Sequence, residues 1–71
     1  MEQHVNAQAN PMEILRMPAV LGMTKLSRTT LWRRIREGEF PRPVRLGGAR
    51  SRAVGWHRSE IEEWLRGRPA A

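Results

Sequence analysis

The sequence predicts a mainly α domain with a small β-hairpin, and three observations carry that expectation. Apolar residues recur at helical spacing in three separated segments. Two short runs, "VRL" and "AVGWH", place apolar residues at alternate positions on either side of the turn "GGARSR". Each helical segment is also bounded by residues suited to start or stop a helix. The resulting order (helix-turn-helix, two-stranded wing, C-terminal helix) is that of a winged helix-turn-helix. A chain of 71 residues buries only about 60% of the surface it exposes when unfolded, which is enough core for one domain. That domain is expected at residues 14–66, between an N-terminal tail, 1–13, and a C-terminal tail, 67–71.

The elements follow in order. "MEQHVNAQANP" is polar, with neither a helical nor an alternating pattern, and reads as a flexible tail. Ile14 and Leu15 form a short extended or turn-like lead-in that packs on the core. A first helix starts at Pro18, whose missing N–H is no loss at the first helical position, and runs to about Met23 with Val20 and Leu21 buried. Ser27 then offers a hydroxyl to an orphan backbone N–H and caps a second helix that runs to Glu37. Gly38 stands where a left-handed residue ends a helix, and Pro41 and Pro43 prevent continuation. In the hairpin Val44, Leu46, Val54 and Trp56 face inward and Arg45 points outward. The last helix begins at Ser59, with Glu62 completing the capping-box pattern S-x-x-E, and buries a stripe of Ile61, Trp64 and Leu65. Gly67 and Pro69 end it.

Charge narrows the function. Thirteen Lys and Arg against seven acids give a formal +6, which favours a polyanionic partner or an anionic membrane surface. A GC-rich genome would explain twelve Arg against one Lys, but not where they sit. From Arg28 to Arg58 there are nine Arg and only Glu37 and Glu39, a local +7, whereas the N-terminal flank is neutral and the C-terminal flank carries minus one. With no cysteine, the chain has no disulfide framework, zinc knuckle or thiol nucleophile, and it suits a reducing cytoplasm. "MPAVLGM" is far shorter than the ~20 residues of a membrane span. With no Asp or Cys, two separated His and no Gly-rich phosphate loop, the residues suggest no enzyme, no catalytic set, no cofactor site and no metal site.

The second helix concentrates the chemistry. At ~100° per residue Leu31 and Ile35 share one face, while Thr29, Trp32, Arg33 and Arg36, at i, i+3, i+4 and i+7, form a stripe opposite them. Arg28 and Arg34 flank the buried face. Such a stripe suits the major groove of double-stranded DNA: Arg can pair bidentately with guanine, Thr can bond a base or touch a thymine methyl, and the helix N-terminus can hold a phosphate. Trp32 has two readings, one with its ring along the sugar-phosphate backbone and its N–H on a phosphate, the other with the ring capping the core. The wing turn carries Arg50 and Arg52, which can enter a minor groove or grip phosphates.

The stretch "ILRMPAVLGMTKLSRTTLWRRIREGEFPRPVRLGGARSRAVGWHRSEIEEWL" resembles the AlpA family of small prophage regulators, relatives of the MerR-type and excisionase-like winged helices. "LSRTTLWR", "REGEFPRPVRLG" and "VGWHRSEIEEWL" carry the resemblance in combination. It implies a sequence-specific DNA-binding transcriptional regulator of prophage or integrated-element genes. By position it assigns groove contact to Ser27, Arg28, Thr29, Trp32 and Arg33, and wing contact to Arg50, Ser51 and Arg52. With Arg36 of the stripe and Arg45 of the hairpin, these make up the candidate DNA-binding set. An excisionase-like architectural factor that bends DNA for recombination is the alternative, and the same residues would serve it. The partners expected besides DNA are a second copy, through self-association or cooperative binding on tandem sites, and an integrase. A protein-interaction adaptor with Trp64 and Leu65 exposed is a third class. The chain departs from the family at Lys25, where relatives usually carry Gly in the turn between helices, and at Arg34, where they often carry an apolar residue. The first implies backbone strain or a slightly different path for the turn, and the second a thinner core or a side chain whose stem lies over Leu31 and Val20.

Overall fold

A computed structural model describes residues 12–71. The expected tail at 1–13 falls mainly on residues 1–11, outside the described residues. The elements are β1 (Ile14–Leu15), α1 (Met17–Thr24), α2 (Arg28–Arg36), β2 (Val44–Arg45), β3 (Val54–His57) and α3 (Arg58–Arg66). This is the anticipated winged helix-turn-helix, with an addition: the sheet has three antiparallel strands in the order β1-β3-β2. The lead-in at Ile14 and Leu15 is a strand, paired with His57 and Trp56 respectively. Pairing there closes the edge of β3 and satisfies backbone groups next to the core.

α1 starts at Met17, so that Pro18 lies within its first two positions, and it buries Met17 and Val20. It ends at Thr24, whose hydroxyl donates to the Val20 carbonyl at 2.9 Å and accepts from the Leu26 N–H at 3.3 Å. Lys25 then takes a left-handed conformation (φ 63°, ψ 19°), with its N–H on the Leu21 carbonyl at 2.8 Å. The strain expected of a non-glycine residue in this turn is therefore present.

α2 is capped as predicted, with Ser27 Oγ accepting from the Thr30 N–H at 3.1 Å. Its end is closed by Gly38, whose N–H bonds the Ile35 carbonyl and whose φ of 76° lets the Glu39 N–H reach that of Arg34. Leu31 and Ile35 are buried, as the periodicity requires.

The core joins these helices to the sheet through aromatic rings. Leu15, Met17, Val20, Leu31, Ile35, Phe40, Trp56 and Ile61 are buried. Phe40, which the sequence marks only as part of a helix stop, meets Trp56 and Trp64 edge-on at centroid distances of 6.5 and 4.7 Å. Trp56 Nε1–H donates to the Pro41 carbonyl at 2.9 Å and Trp64 Nε1–H to that of Glu39 at 2.8 Å. Two indoles thus hold the segment that links α2 to the wing. Trp64 and Leu65 are partly buried against the core, which removes the exposed patch that an adaptor reading needs.

Two local expectations are corrected. The inward set of the hairpin cannot be Val44, Leu46, Val54 and Trp56 together, because Val44 pairs with Gly55 and Arg45 with Val54. Paired residues share a face, so Arg45 lies with Val54 and Trp56, while Val44 and Leu46 lie with Gly55 on the other side. Leu46 is accordingly 40% exposed. The capping box at Ser59 does not form either. α3 begins one residue earlier, with His57 as an N-cap that makes no side-chain bond. The Arg58 N–H is already satisfied by the Glu13 carbonyl at 2.8 Å, and Glu62 Oε2 accepts from Arg58 Nε at 2.8 Å instead of turning back to the helix start.

Candidate nucleic-acid interface

The expected contact residues of α2 are presented outward. Ser27, Arg28, Thr29, Arg33 and Arg36 are exposed and Trp32 is half-buried. Ser27 is committed to the helix itself: besides accepting from the Thr30 backbone, its hydroxyl donates to Thr30 Oγ1 at 2.9 Å. Its contribution is to fix the N-terminus that Arg28 and Thr29 occupy. Arg33, Arg34 and Arg36 fall in the last turn, where cations oppose the negative end of the helix dipole. Arg28 sits at the other end, where a cation is disfavoured, and no acidic residue occupies that first turn.

Of the two readings of Trp32, the structure shows the one in which the ring caps the core. Its ring packs against the core beside Trp56, with centroids 6.2 Å apart and planes at 50°. The indole N–H, unlike those of Trp56 and Trp64, has no hydrogen-bond partner among the described residues and is not buried. The ring is held by the core while the donor faces solvent.

The same contact locates the wing. Trp56 meets α2 on one face of the sheet, and the register puts Arg45 on that face, so Arg45 stands on the α2 side. Arg45, Arg50, Ser51 and Arg52 are all exposed. The turn is organised by its small residues: the Leu46 N–H bonds the Ala53 carbonyl, the Ser51 N–H bonds that of Gly48, and Ser51 Oγ accepts from the Ala53 N–H at 3.1 Å. A Cβ on Gly47 would lie 2.5 Å from the Ser51 side chain, so glycine is required for this closure. Ser51 therefore shapes the wing, and Arg50 and Arg52 ride on it.

Ion pairing sorts the arginines into groups. Arg58 is tied to Glu62 and Glu13, at 2.8 and 3.4 Å, and its pKa is raised above the ordinary value chiefly by the hydrogen bond to Glu62. Arg68 lies over the Trp64 ring, 4.1 Å from its centroid, with Nε on the Trp64 carbonyl. These cations belong to the frame of α3. Arg33 and Arg34 approach Glu37 and Glu39 only at 4.0 Å. The Arg33 and Glu37 side chains are both 51% exposed, a geometry in which a pair contributes little. Arg34 keeps its Nε buried and without a hydrogen-bond partner among the described residues. Among the described residues Arg28, Arg36, Arg42, Arg45, Arg50 and Arg52 face no carboxylate within ion-pair distance. Arg42 was not in the expected set; its signal was its place in the basic segment, which the helical stripe and the turn pattern both pass over.

Among the described residues there is no group of His, Asp and Glu able to hold a metal ion and no helix long and apolar enough to cross a membrane. Over 56 residues the chain is 46% identical to the uncharacterized protein ORF88 of Enterobacteria phage P4, a match that takes in 79% of this chain and 60% of the length of that relative. No solved structure matches it. Residues 13–68 match the model of a family described as prophage CP4-57 regulatory protein (AlpA), and with the winged helix-turn-helix already traced over those residues, the chain belongs to the AlpA family.

Proposed function

We propose that this AlpA-family chain binds double-stranded DNA sequence-specifically and regulates transcription of prophage or integrated-element genes. α2 lies in the major groove, and the wing, residues 47–52, lies on the adjacent backbone or in the minor groove. The observation that carries this reading is that six of the eight arginines from Arg28 to Arg52 are exposed without a carboxylate partner among the described residues. In a chain that also holds seven acids, such a set is what a polyanion would neutralise.

Within the site, Arg33 reads a guanine after releasing its loose contact with Glu37, and Thr29 and Arg36 extend the readout along the stripe. Arg28, Trp32 Nε1–H, Arg45, Arg50 and Arg52 contact phosphates or the wing groove, while Ser27 and Ser51 hold the helix start and the turn in place. The DNA-binding domain spans residues 14–66, and the protein works in the cytoplasm. One recognition helix reads only a few base pairs, so binding to tandem sites by a second copy is part of the proposal.

Selection of bound sequences from a random duplex pool, followed by salt titration on the selected site, tests the reading. Four to six phosphate contacts give a log–log salt slope of about −4 to −5. Arg33→Ala relaxes one base position and loses about 1–3 kcal/mol on the preferred site, whereas Arg50→Ala weakens all sequences alike. A flat salt slope with no enriched sequence would overturn the proposal. On the selected site, a strong bend in a circular-permutation assay together with integrase-dependent excision would shift the role from promoter control to excisionase-like architecture.

A further inference from the structure

Arg16 lies in the electrically neutral N-terminal part of the sequence, outside every cationic cluster that the primary structure displays. The fold moves it. It occupies the corner between β1 and α1, and its Nε donates to the Val54 carbonyl at 3.1 Å, on the strand by which the wing returns to the body. Val54 is also the register partner of Arg45 on the opposite neighbouring strand, and Arg52 precedes it by two residues. The bond therefore ties Arg16 to the strand whose neighbour carries Arg45 and whose approach carries Arg52.

The bond to Val54 also has a chemical consequence. A guanidinium is a planar fork, and fixing its Nε restricts where the two terminal nitrogens point. Arg16 is exposed, and no carboxylate lies within ion-pair distance of it among the described residues. Its terminal nitrogens are thus prearranged donors carrying full charge, suited to two oxygens of one phosphate. We infer that Arg16 is a phosphodiester-binding residue of the interface, clamping the DNA backbone at the root of the wing. The inference rests on the proposed DNA binding and adds a contact that segment charge does not reveal. Because it reads backbone and not bases, Arg16 sets how firmly the wing is seated and leaves sequence preference alone.

The test compares Arg16→Gln with the parent chain on the selected duplex and on a scrambled duplex of equal length, by fluorescence anisotropy across a salt series. Glutamine keeps an N–H donor for Val54 and removes the charge. The expected result is a salt slope smaller in magnitude by about 0.9, and affinity about eightfold lower at 0.1 M salt, the factor for one phosphate's counterion release, on both duplexes. The melting temperature stays near that of the parent, since the bond it retains is exposed. Arg16→Lys, with charge but no fork, keeps the slope and loses part of the affinity. If Arg16→Gln leaves slope and affinity unchanged while Arg50→Ala lowers both, the inference fails and the DNA-binding proposal survives. If the parent chain itself shows no salt-dependent duplex binding, both fall together.

Discussion

Gly55 is the most direct test of the sheet register and of what covers the outer face of the wing. A Cβ built there lies 2.6 Å from Ile14 Cγ2, 3.0 Å from the Leu15 carbonyl oxygen and 3.2 Å from Leu46 Cδ1. The nearest atom is attached directly to the β-carbon of a strand residue, and the second is backbone, so neither swings aside freely. Forcing one methyl into such a space costs about 1–3 kcal/mol. Against this, alanine loses less chain entropy than glycine on folding, which returns about 0.5–1 kcal/mol. The net destabilisation for Gly55→Ala is therefore about 1–2 kcal/mol, and in a domain of this size each kcal/mol lowers the melting temperature by roughly 4–8 °C. Thermal unfolding followed by far-UV circular dichroism measures it. Gly48→Ala is the matched control, since nothing lies within 4 Å of a Cβ there. Adding Ile14→Ala to Gly55→Ala removes the closest contact and should recover about 1 kcal/mol as a coupling term. Equal melting temperatures for Gly55→Ala and Gly48→Ala, or no coupling with Ile14, would refute the packing of Ile14 and Leu46 over Gly55.

Three further outcomes follow from the geometry. Lys25→Gly relieves a left-handed strain of about 1–2 kcal/mol at an entropic cost of about 0.5–1, so calorimetry should show a net gain of about 0.5 kcal/mol; a lower melting temperature would contradict the strain. Trp64→Ala removes the edge contact with Phe40, the bond to Glu39 and the seat of Arg68, and urea unfolding should report a loss of about 3 kcal/mol from a total of roughly 4–10. Trp32→Phe keeps a ring against Trp56 but removes the exposed N–H; duplex affinity should fall severalfold with little change in melting temperature, and a large stability loss with unchanged affinity would make Trp32 a core residue only.

The parts of the fold legible in the sequence are those specified by local chemistry. Ser27 caps α2 because its hydroxyl has an orphan N–H within reach, and Gly38 ends it because the next turn needs a positive φ. The Leu31 and Ile35 seam follows from helical period alone. The features that were hidden depend on partners distant in the chain. Ile14 and Leu15 become a strand only because β3 offers an edge forty residues later, and Glu62 leaves the capping-box role because Glu13 brings its carbonyl to Arg58. The hairpin faces follow from turn length: a turn of six residues closing Leu46 on Ala53 pairs even-numbered positions with odd-numbered ones, so Val44 and Trp56 cannot share a face. For the candidate site, the stripe on α2 is readable from spacing, whereas the packing of the Trp32 ring on Trp56 and the bond of Arg16 to the strand that follows the wing depend on the tertiary structure.

The arginines on α2 also separate structural preference from binding chemistry. Arg33, Arg34 and Arg36 stand where the helix dipole welcomes cations, so their presence alone is explained by helix stability. Arg28 is not, for a cation in the first turn opposes the dipole by about 0.3–1 kcal/mol, and the acidic residues that usually occupy that turn are missing. Under the proposed DNA binding, a phosphate at this end would reverse the balance, because it would pair with Arg28 and accept from the orphan N–H groups that Ser27 leaves unbonded. The helix start is thus least favourable in the isolated protein and becomes favourable against a polyanion. An Arg28→Glu chain should consequently melt higher and bind duplex far more weakly, opposite changes that a purely structural arginine would not produce.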